Sequence, residues 1–227
     1  MVGGYPSIYK TEIVSLTLGG QIPDCLNTLS DHPNEVRYGA GGSLPDVGYL
    51  PHVCGSGTFP HDECWQYSPA EDSWTKTSTI PRDFDSGAPA FHPGWGIIMS
   101  GGYPSYDEVT ITKDGETFED LTPMPNSKWF HCIAAVNSDI LFTTGLTTGN
   151  GYKKTYLYYR DTGEWVPLPD MPTGRNGMGC GVVVDDRGSD EVVVVGGYDS
   201  GGHYLDTVEI FNLEEATWRT GRYFKQF

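Results

Sequence analysis

A strand-like apolar run that closes on a pair of small residues recurs along this chain and limits the folds it can adopt. The clearest copy is EVVVVGG, which ends at Gly197. The pairs lie 43 to 52 residues apart and are Gly3-Gly4, Gly55-Ser56, Gly101-Gly102, Thr144-Gly145 and Gly196-Gly197. A period of this length is typical of repeat architectures, in which each unit buries its faces against its neighbours.

A second series follows the small-residue pairs in matching register. After a polar loop comes an alternating run such as TVEIF, which predicts a half-buried strand, and then a short turn that ends in an aromatic residue. These residues are Trp74, Phe118, Trp165 and Trp218; a proline follows the first three by seven residues, at Pro81, Pro125 and Pro172. The two series together predict one supersecondary unit repeated about five times.

This pattern resembles the kelch repeat: an apolar strand, Gly-Gly, a loop, a Tyr-bearing strand, a turn and a spaced Trp. The resemblance covers nearly the whole chain. It implies an all-β fold, a kelch-type β-propeller in which each repeat supplies one four-stranded blade. The units fall approximately at 1–33, which is partial, 34–81, 82–125, 126–172 and 173–227. In this fold the glycines permit positive φ where strands crowd, and the Trp side chains fill the gaps between blades.

The two ends of the chain do not complete a blade between them. Little sequence precedes Gly3, and the tail after Trp218 is too short for a further first strand. A closed propeller joins its ends within one blade, because this removes exposed strand edges. We therefore expect a fragment of a longer ring, of six blades as is common in this family. The alternative is a five-bladed ring with a thin first blade.

The charge of the chain excludes some classes of partner. It contains 14 Lys plus Arg against 30 Asp plus Glu, a formal net charge of −16. A surface of this sign repels nucleic-acid phosphates and anionic membranes. No apolar run approaches the roughly 20 residues of a membrane span. We expect a protein or peptide partner, with no nucleic acid and no membrane span.

Candidate contact residues lie in the loops, where repeat scaffolds usually carry function. Three arginines, Arg37, Arg82 and Arg175, follow repeat prolines near the blade-linking segments, where their guanidinium groups would suit a partner carboxylate or phosphate. The alternative is a local salt bridge that holds the loop. Five tyrosines lie between second and third strands and would be contact anchors, or would pack the loops: Tyr103, Tyr106, Tyr152, Tyr198 and Tyr204.

The chain has five cysteines, and no CxxC pair among them indicates zinc. Cys54 and Cys64 flank a predicted hairpin, and one interpretation is that they face each other as a cross-strand disulfide, which would indicate an oxidising compartment. The alternative is two buried thiols. Cys132 and Cys180 occupy nearly equivalent first strands of neighbouring units. We expect them to be core thiols too far apart to bridge.

The sequence contains no pattern that indicates catalysis. GxSxG, HExxH and Walker motifs are absent, and the six histidines are spread over the five units without metal-ligand spacing. We therefore expect no enzyme activity, metal or cofactor. Galactose oxidase has a similar architecture and uses a copper held by Tyr and His, so a related enzyme is the weakest alternative.

The resemblance implies a non-catalytic scaffold that presents propeller loops to a protein or peptide partner. Two alternatives stay open: the substrate-recognition part of a cullin-type ubiquitin-ligase adaptor, and a secreted kelch protein. The expected location follows the same division. It is cytoplasmic if Met1 is the true start, and extracellular if Cys54 and Cys64 are paired.

Overall fold

The computed structural model describes residues 29–36, 38–56, 61–104, 106–145 and 152–221. Within these ranges the chain forms four antiparallel sheets of four strands each and one short 3₁₀ helix, Pro45–Val47. No helix in this part of the chain is long and apolar enough to cross a membrane.

Each sheet is one blade, built from four consecutive strands. Blade 1 contains β1 (Ala40–Leu44), β2 (Leu50–Ser56), β3 (Glu63–Ser68) and β4 (Ser73–Thr79). Blade 2 contains β5 (Ala88–His92), β6 (Gly96–Ser100), β7 (Val109–Thr112) and β8 (Glu119–Leu121). Blade 3 contains β9 (Cys132–Ala135), β10 (Ile140–Thr144), β11 (Thr155–Tyr159) and β12 (Glu164–Leu168). Blade 4 contains β13 (Gly179–Val184), β14 (Asp190–Val195), β15 (Val208–Asn212) and β16 (Thr217–Thr220).

The first strands of the blades line the inside of the arc. In each sheet the strand order equals the chain order, and β1 lies beside β5, β5 beside β9, and β9 beside β13. The predicted all-β propeller is confirmed. Gly3, Gly4 and most of the expected partial first unit lie outside the described residues.

The up-and-down order gives every blade two distinct ends. One end, here called the loop face, carries the blade-linking segments and the loops between second and third strands. The opposite end, here called the turn face, carries the turns between first and second strands and between third and fourth strands. All the loops that the sequence analysis singled out therefore lie on one face.

The core of the described part of the chain is divided into three layers, one between each pair of neighbouring blades. In β14, Val192 and Val194 point toward blade 3, as strand alternation requires, and pack with Phe142 and Leu157. Leu44 and Phe84 belong to the layer between blades 1 and 2, and Ile98 and Leu141 to the layer between blades 2 and 3. Burying each such side chain contributes about 1.5–3 kcal/mol. No blade buries its faces alone.

The repeat glycines that the structure describes have positive φ: Gly55, Gly101, Gly102, Gly145, Gly196 and Gly197. The second glycine of a pair also lies against the segment that leads into its own blade. A Cβ on Gly102 would lie 2.5 Å from the carbonyl oxygen of Asp85, and one on Gly197 would lie 2.5 Å from that of Asn176. Glycine is required there for both its conformation and its size.

The repeat tryptophans tie neighbouring units together by the same hydrogen bond. The indole Nε1 donates to a linker carbonyl about one unit earlier: Trp74 to Ser30 at 3.2 Å, Trp165 to Thr122 at 2.9 Å, and Trp218 to Pro169 at 2.9 Å. Trp165 and Trp218 also pack against the adjacent inter-blade layers. Phe118 packs between blades 1 and 2, but its ring has no donor for this bond.

Candidate functional site

The loop face brings four tyrosines to the surface on rigid backbone. Tyr103 pairs with Asp85 through an isolated β-bridge, and Tyr198 pairs with both Asn176 and Tyr204 in the same way. Tyr103 is 51% exposed and Tyr204 is 82% exposed, and Tyr38 and Tyr198 are also open to solvent. These positions hold the backbone while leaving large ring surface accessible.

Ring contacts join these tyrosines to further aromatic residues of the loop face. Tyr106 lies 5.9 Å from Tyr103 and 5.3 Å from Trp129 between ring centroids. Tyr198 and Tyr204 lie 4.7 Å apart, and a hydrogen bond between their side chains raises the pKa of Tyr198. We call the set the aromatic surface: Tyr38, Tyr103, Tyr106, Trp129, Phe130, Tyr198 and Tyr204.

The linking segments also form a hydrogen-bonded rim on the inner side of the loop face. The backbone N–H of Phe130 donates to Ser86 at 2.8 Å, and that of Gly177 donates to Phe130 at 2.7 Å. Tyr38, Ser86, Phe130 and Gly177 each lie two residues before a first strand, and all have positive φ. A positive φ costs free energy in residues other than glycine, and it occurs where the surrounding structure enforces it. The rim therefore places Tyr38 and Phe130, 5.4 Å apart, near the axis.

The arginines predicted to meet a partner are instead buried in their own blades, and this corrects the expectation. The Arg175 side chain is 0% exposed, and it donates to the carbonyl of Gly196 at 2.9 Å and pairs with the carboxylate of Glu209 at 3.1 Å. Arg82 has a nearly buried side chain that donates to the carbonyl of Gly101 at 3.0 Å. Arg37 lies outside the described residues.

A cation in this position proves to be a repeat element of the fold. Lys128 takes the equivalent place in blade 3, where its ammonium donates to the carbonyls of Gly145 and Lys154, each at 3.2 Å. Each of the three cations thus satisfies the carbonyl of a repeat glycine. A glycine carbonyl turned away from its strand needs such a donor, because buried acceptors without partners are costly. Chain spacing alone does not reveal this role.

Within the described ranges Lys128 has no carboxylate in hydrogen-bonding contact, and burial lowers its pKa from 10.5 to about 7. Between these two values the unfolded chain binds a proton that the folded chain does not. Stability therefore rises with pH across this window, by up to about 1.4 kcal/mol per pH unit. We expect Lys128→Met to flatten this slope, as measured by urea unfolding at several pH values from 7 to 9.

Lys154→Met is the matched control, since Lys154 is half exposed and pairs with Asp170. It should retain the slope of the unsubstituted chain. A slope that is the same with and without Lys128 would show that the ammonium stays charged in the fold.

Two disulfides lie within the described residues, one inside blade 1 and one between the first strands of blades 3 and 4. Cys54 and Cys64 face each other across β2 and β3 and are bonded, with Cα atoms 4.0 Å apart. Cys132 of β9 and Cys180 of β13 are also bonded, with Cα atoms 6.0 Å apart. The expectation that this second pair is too distant was wrong, because inner strands converge near the axis. The second disulfide covalently joins blades 3 and 4.

Within the described ranges no group of three His, Cys, Asp or Glu side chains is placed to hold a metal ion. His131 is buried beside Ser100, whose hydroxyl lies 2.9 Å from its Nε2. Burial, aided by the charges of Lys128 and Arg82, holds the pKa of His131 well below its usual value. This imidazole is a neutral core group.

Comparison with known proteins agrees with the blade geometry. The Kelch motif family model matches residues 178–224, which contain blade 4. Kelch-like protein 15 of Mus musculus is 29% identical over 113 residues, 47% of this chain. The chain is a kelch-repeat protein.

Two further relatives of this kelch-repeat chain match over similar or shorter stretches. Kelch-like protein terF of Aspergillus terreus is 31% identical over 117 residues, which are 46% of this chain and 24% of that protein. Galactose oxidase of Gibberella zeae is 34% identical over 73 residues, 32% of this chain and 10% of that protein. The match to Kelch-like protein 15 covers 18% of the relative. The kelch-repeat chain thus spans a small part of each relative.

Proposed function

We propose that this chain is a non-catalytic interaction module that binds a protein or peptide partner on its loop face. The observation that carries the proposal is the aromatic surface. Tyrosine and tryptophan supply large contact area and are enriched among the residues that dominate binding energy. Backbone bridges and the rim hold these rings in place, so little order has to be gained on binding.

The charge of the chain supports a partner that carries basic groups. The cations expected to recognise an acidic motif, Arg82 and Arg175, are used inside the fold. Acidic residues accompany the exposed rings: Asp85 bridges to Tyr103, and Asp199 organises the loop between Tyr198 and Tyr204 through bonds from backbone N–H groups. With a net charge of −16, the chain favours partners of opposite sign.

The test removes the exposed rings while leaving the backbone pairing intact. In the triple variant Tyr103→Ala, Tyr198→Ala, Tyr204→Ala, we expect partner affinity to fall at least about tenfold, which corresponds to about 1.4 kcal/mol. The measurement is capture from the native source with quantitative mass spectrometry, followed by titration of the captured partner.

Tyr49→Ala is the control, because Tyr49 is 63% exposed but lies on the turn face. It should bind as the unsubstituted chain does. If every captured protein is retained equally by the triple variant, the loop face is not the binding site.

The two disulfides favour the secreted alternative over the ubiquitin-ligase adaptor, since cytosolic thiols are kept reduced. The same capture, run in parallel on secreted and cytosolic fractions, separates these alternatives. A ring-dependent partner found only in the cytosolic fraction would reject the secreted form.

A further inference from the structure

The gaps between neighbouring blades are filled differently on the turn face. Between blades 2 and 3, Trp95 from the β5–β6 turn is fully buried, and its indole Nε1 donates to the carbonyl of Asn137 at 2.7 Å. The guanidinium of Arg160 lies 4.1 Å above the Trp95 ring and donates to the carbonyl of Gly94 at 2.9 Å. An aromatic ring and a cation thus close this gap.

The equivalent residues between blades 3 and 4 cannot close the gap in this way. Trp95 directly precedes β6, and Asp139 directly precedes β10. The Asp139 carboxylate accepts a hydrogen bond from the neighbouring Ser138 hydroxyl and stays exposed on its own turn. Arg160 lies two residues after Tyr158, which pairs with Trp165 across β11 and β12. Leu213 lies two residues after Phe211, which pairs with Trp218 across β15 and β16, so Leu213 occupies the position of Arg160 in blade 4. Both the ring and the cation are therefore missing here.

The result is an open cleft of about 370 Å³ between blades 3 and 4. This volume lies within the range of small-molecule sites. Val136, Ile140, Leu157 and Leu213 supply the apolar part of its wall, with Tyr159 beside them. The cleft lies on the turn face, so it is separate from the aromatic surface.

The mouth of the cleft is acidic. Asp190 and Glu214 line it, and Glu214 accepts a hydrogen bond from the Ser189 hydroxyl at 2.8 Å. The nearby guanidinium of Arg187 instead forms ion pairs with the carboxylates of Asp185 and Glu215, with N–O distances of 3.0 Å and 3.6 Å. Among the described residues, no ion pair neutralises Asp190 or Glu214.

We propose that this cleft binds a small aromatic amine. The ring would enter the apolar space that Trp95 fills in the neighbouring gap, and the ammonium would meet the carboxylates of Asp190 and Glu214. The ligand thereby supplies the two features, ring and cation, that Trp95 and Arg160 supply one blade earlier. No residue of the loop face takes part.

Two probes that share one ring but differ in charge test the proposal by isothermal titration calorimetry. Tryptamine carries the indole and a cation, whereas indole-3-acetate carries the indole and an anion. We expect tryptamine to bind at least about tenfold more tightly. No saturable binding of tryptamine up to about 1 mM, or equal affinity for the two probes, would overturn the proposal.

Three variants locate the binding. Leu213→Trp fills the cleft and should weaken tryptamine binding at least about tenfold, a loss of about 1.4 kcal/mol. Glu214→Gln keeps the shape and should weaken it about threefold, as expected for a solvent-exposed ion pair. Glu215→Gln is the matched control, since Glu215 pairs with Arg187 outside the cleft. Binding that is unchanged in both Leu213→Trp and Glu214→Gln would place the amine elsewhere and reject the site.

Discussion

Replacing Arg175 with methionine is expected to lower the free energy of unfolding by about 3–5 kcal/mol. The guanidinium is fully buried and holds Glu209, itself nearly buried, at 3.1 Å. It also donates to the carbonyls of Gly196 and Thr207, at 2.9 and 3.1 Å. The substitution leaves a buried carboxylate without its countercharge and two carbonyls without this donor. Urea unfolding at neutral pH with the disulfides intact measures the loss.

Two further variants separate the buried pair from ordinary surface charge. Arg187→Met removes an exposed arginine that pairs with Asp185 in the same blade, and it should destabilise the fold far less than Arg175→Met does, because water screens the pair. Adding Glu209→Leu to Arg175→Met removes the orphaned carboxylate, so the double variant should be more stable than Arg175→Met alone. A loss below about 1 kcal/mol for Arg175→Met would instead return this arginine to the set of possible partner contacts.

Gly197→Ala is expected to lower the free energy of unfolding by about 2–4 kcal/mol. Two effects add at this position. The φ angle is +89°, which disfavours any side chain, and the new Cβ would lie 2.5 Å from the Asn176 carbonyl oxygen. Because that oxygen belongs to the segment entering the blade, the clash would push Tyr198 and its bridge partner apart.

Gly202→Ala isolates the first effect. Its φ is +78°, and a Cβ there would have no atom within 4 Å. This control should lose only about 1–2 kcal/mol, the cost of the left-handed conformation. Thermal and urea unfolding of both variants give the difference. Equal losses would show that close approach of the linking segment does not select glycine at position 197.

The repeat pattern predicted most of the architecture because blade structure is local. In β14 the alternation of side chains places Val192 and Val194 in the layer toward blade 3, and the following glycine pair has positive φ. Trp218 lies in the outer strand β16 and packs toward the preceding blade. The alternation and the glycine conformation depend on residues close together in the chain, and the Trp position repeats at a fixed offset, so spacing and residue type were sufficient to predict them.

The candidate site was only partly accessible from the sequence. Tyr103 and Tyr198 lie exposed on the loop face, and their role as partner contacts stays a prediction. Trp129 and Phe130 belong to the same surface, but they precede an inner strand in a stretch that reads as core. The residue two positions before each first strand has positive φ. This shared conformation can be recognised only when the units are compared in the structure.

The sequence by itself determined the strands, their order within a blade, and the glycine and tryptophan positions that repeat between blades. Only the tertiary structure decided how equivalent residues of different blades meet. It brought Cys132 and Cys180 into a disulfide, buried Arg175 on Glu209, and left a cleft where blade 3 lacks a counterpart of Trp95. These contacts depend on how closely the blades pack around a shared axis. That packing is the summed result of every inter-blade layer, and no local spacing in the chain encodes it.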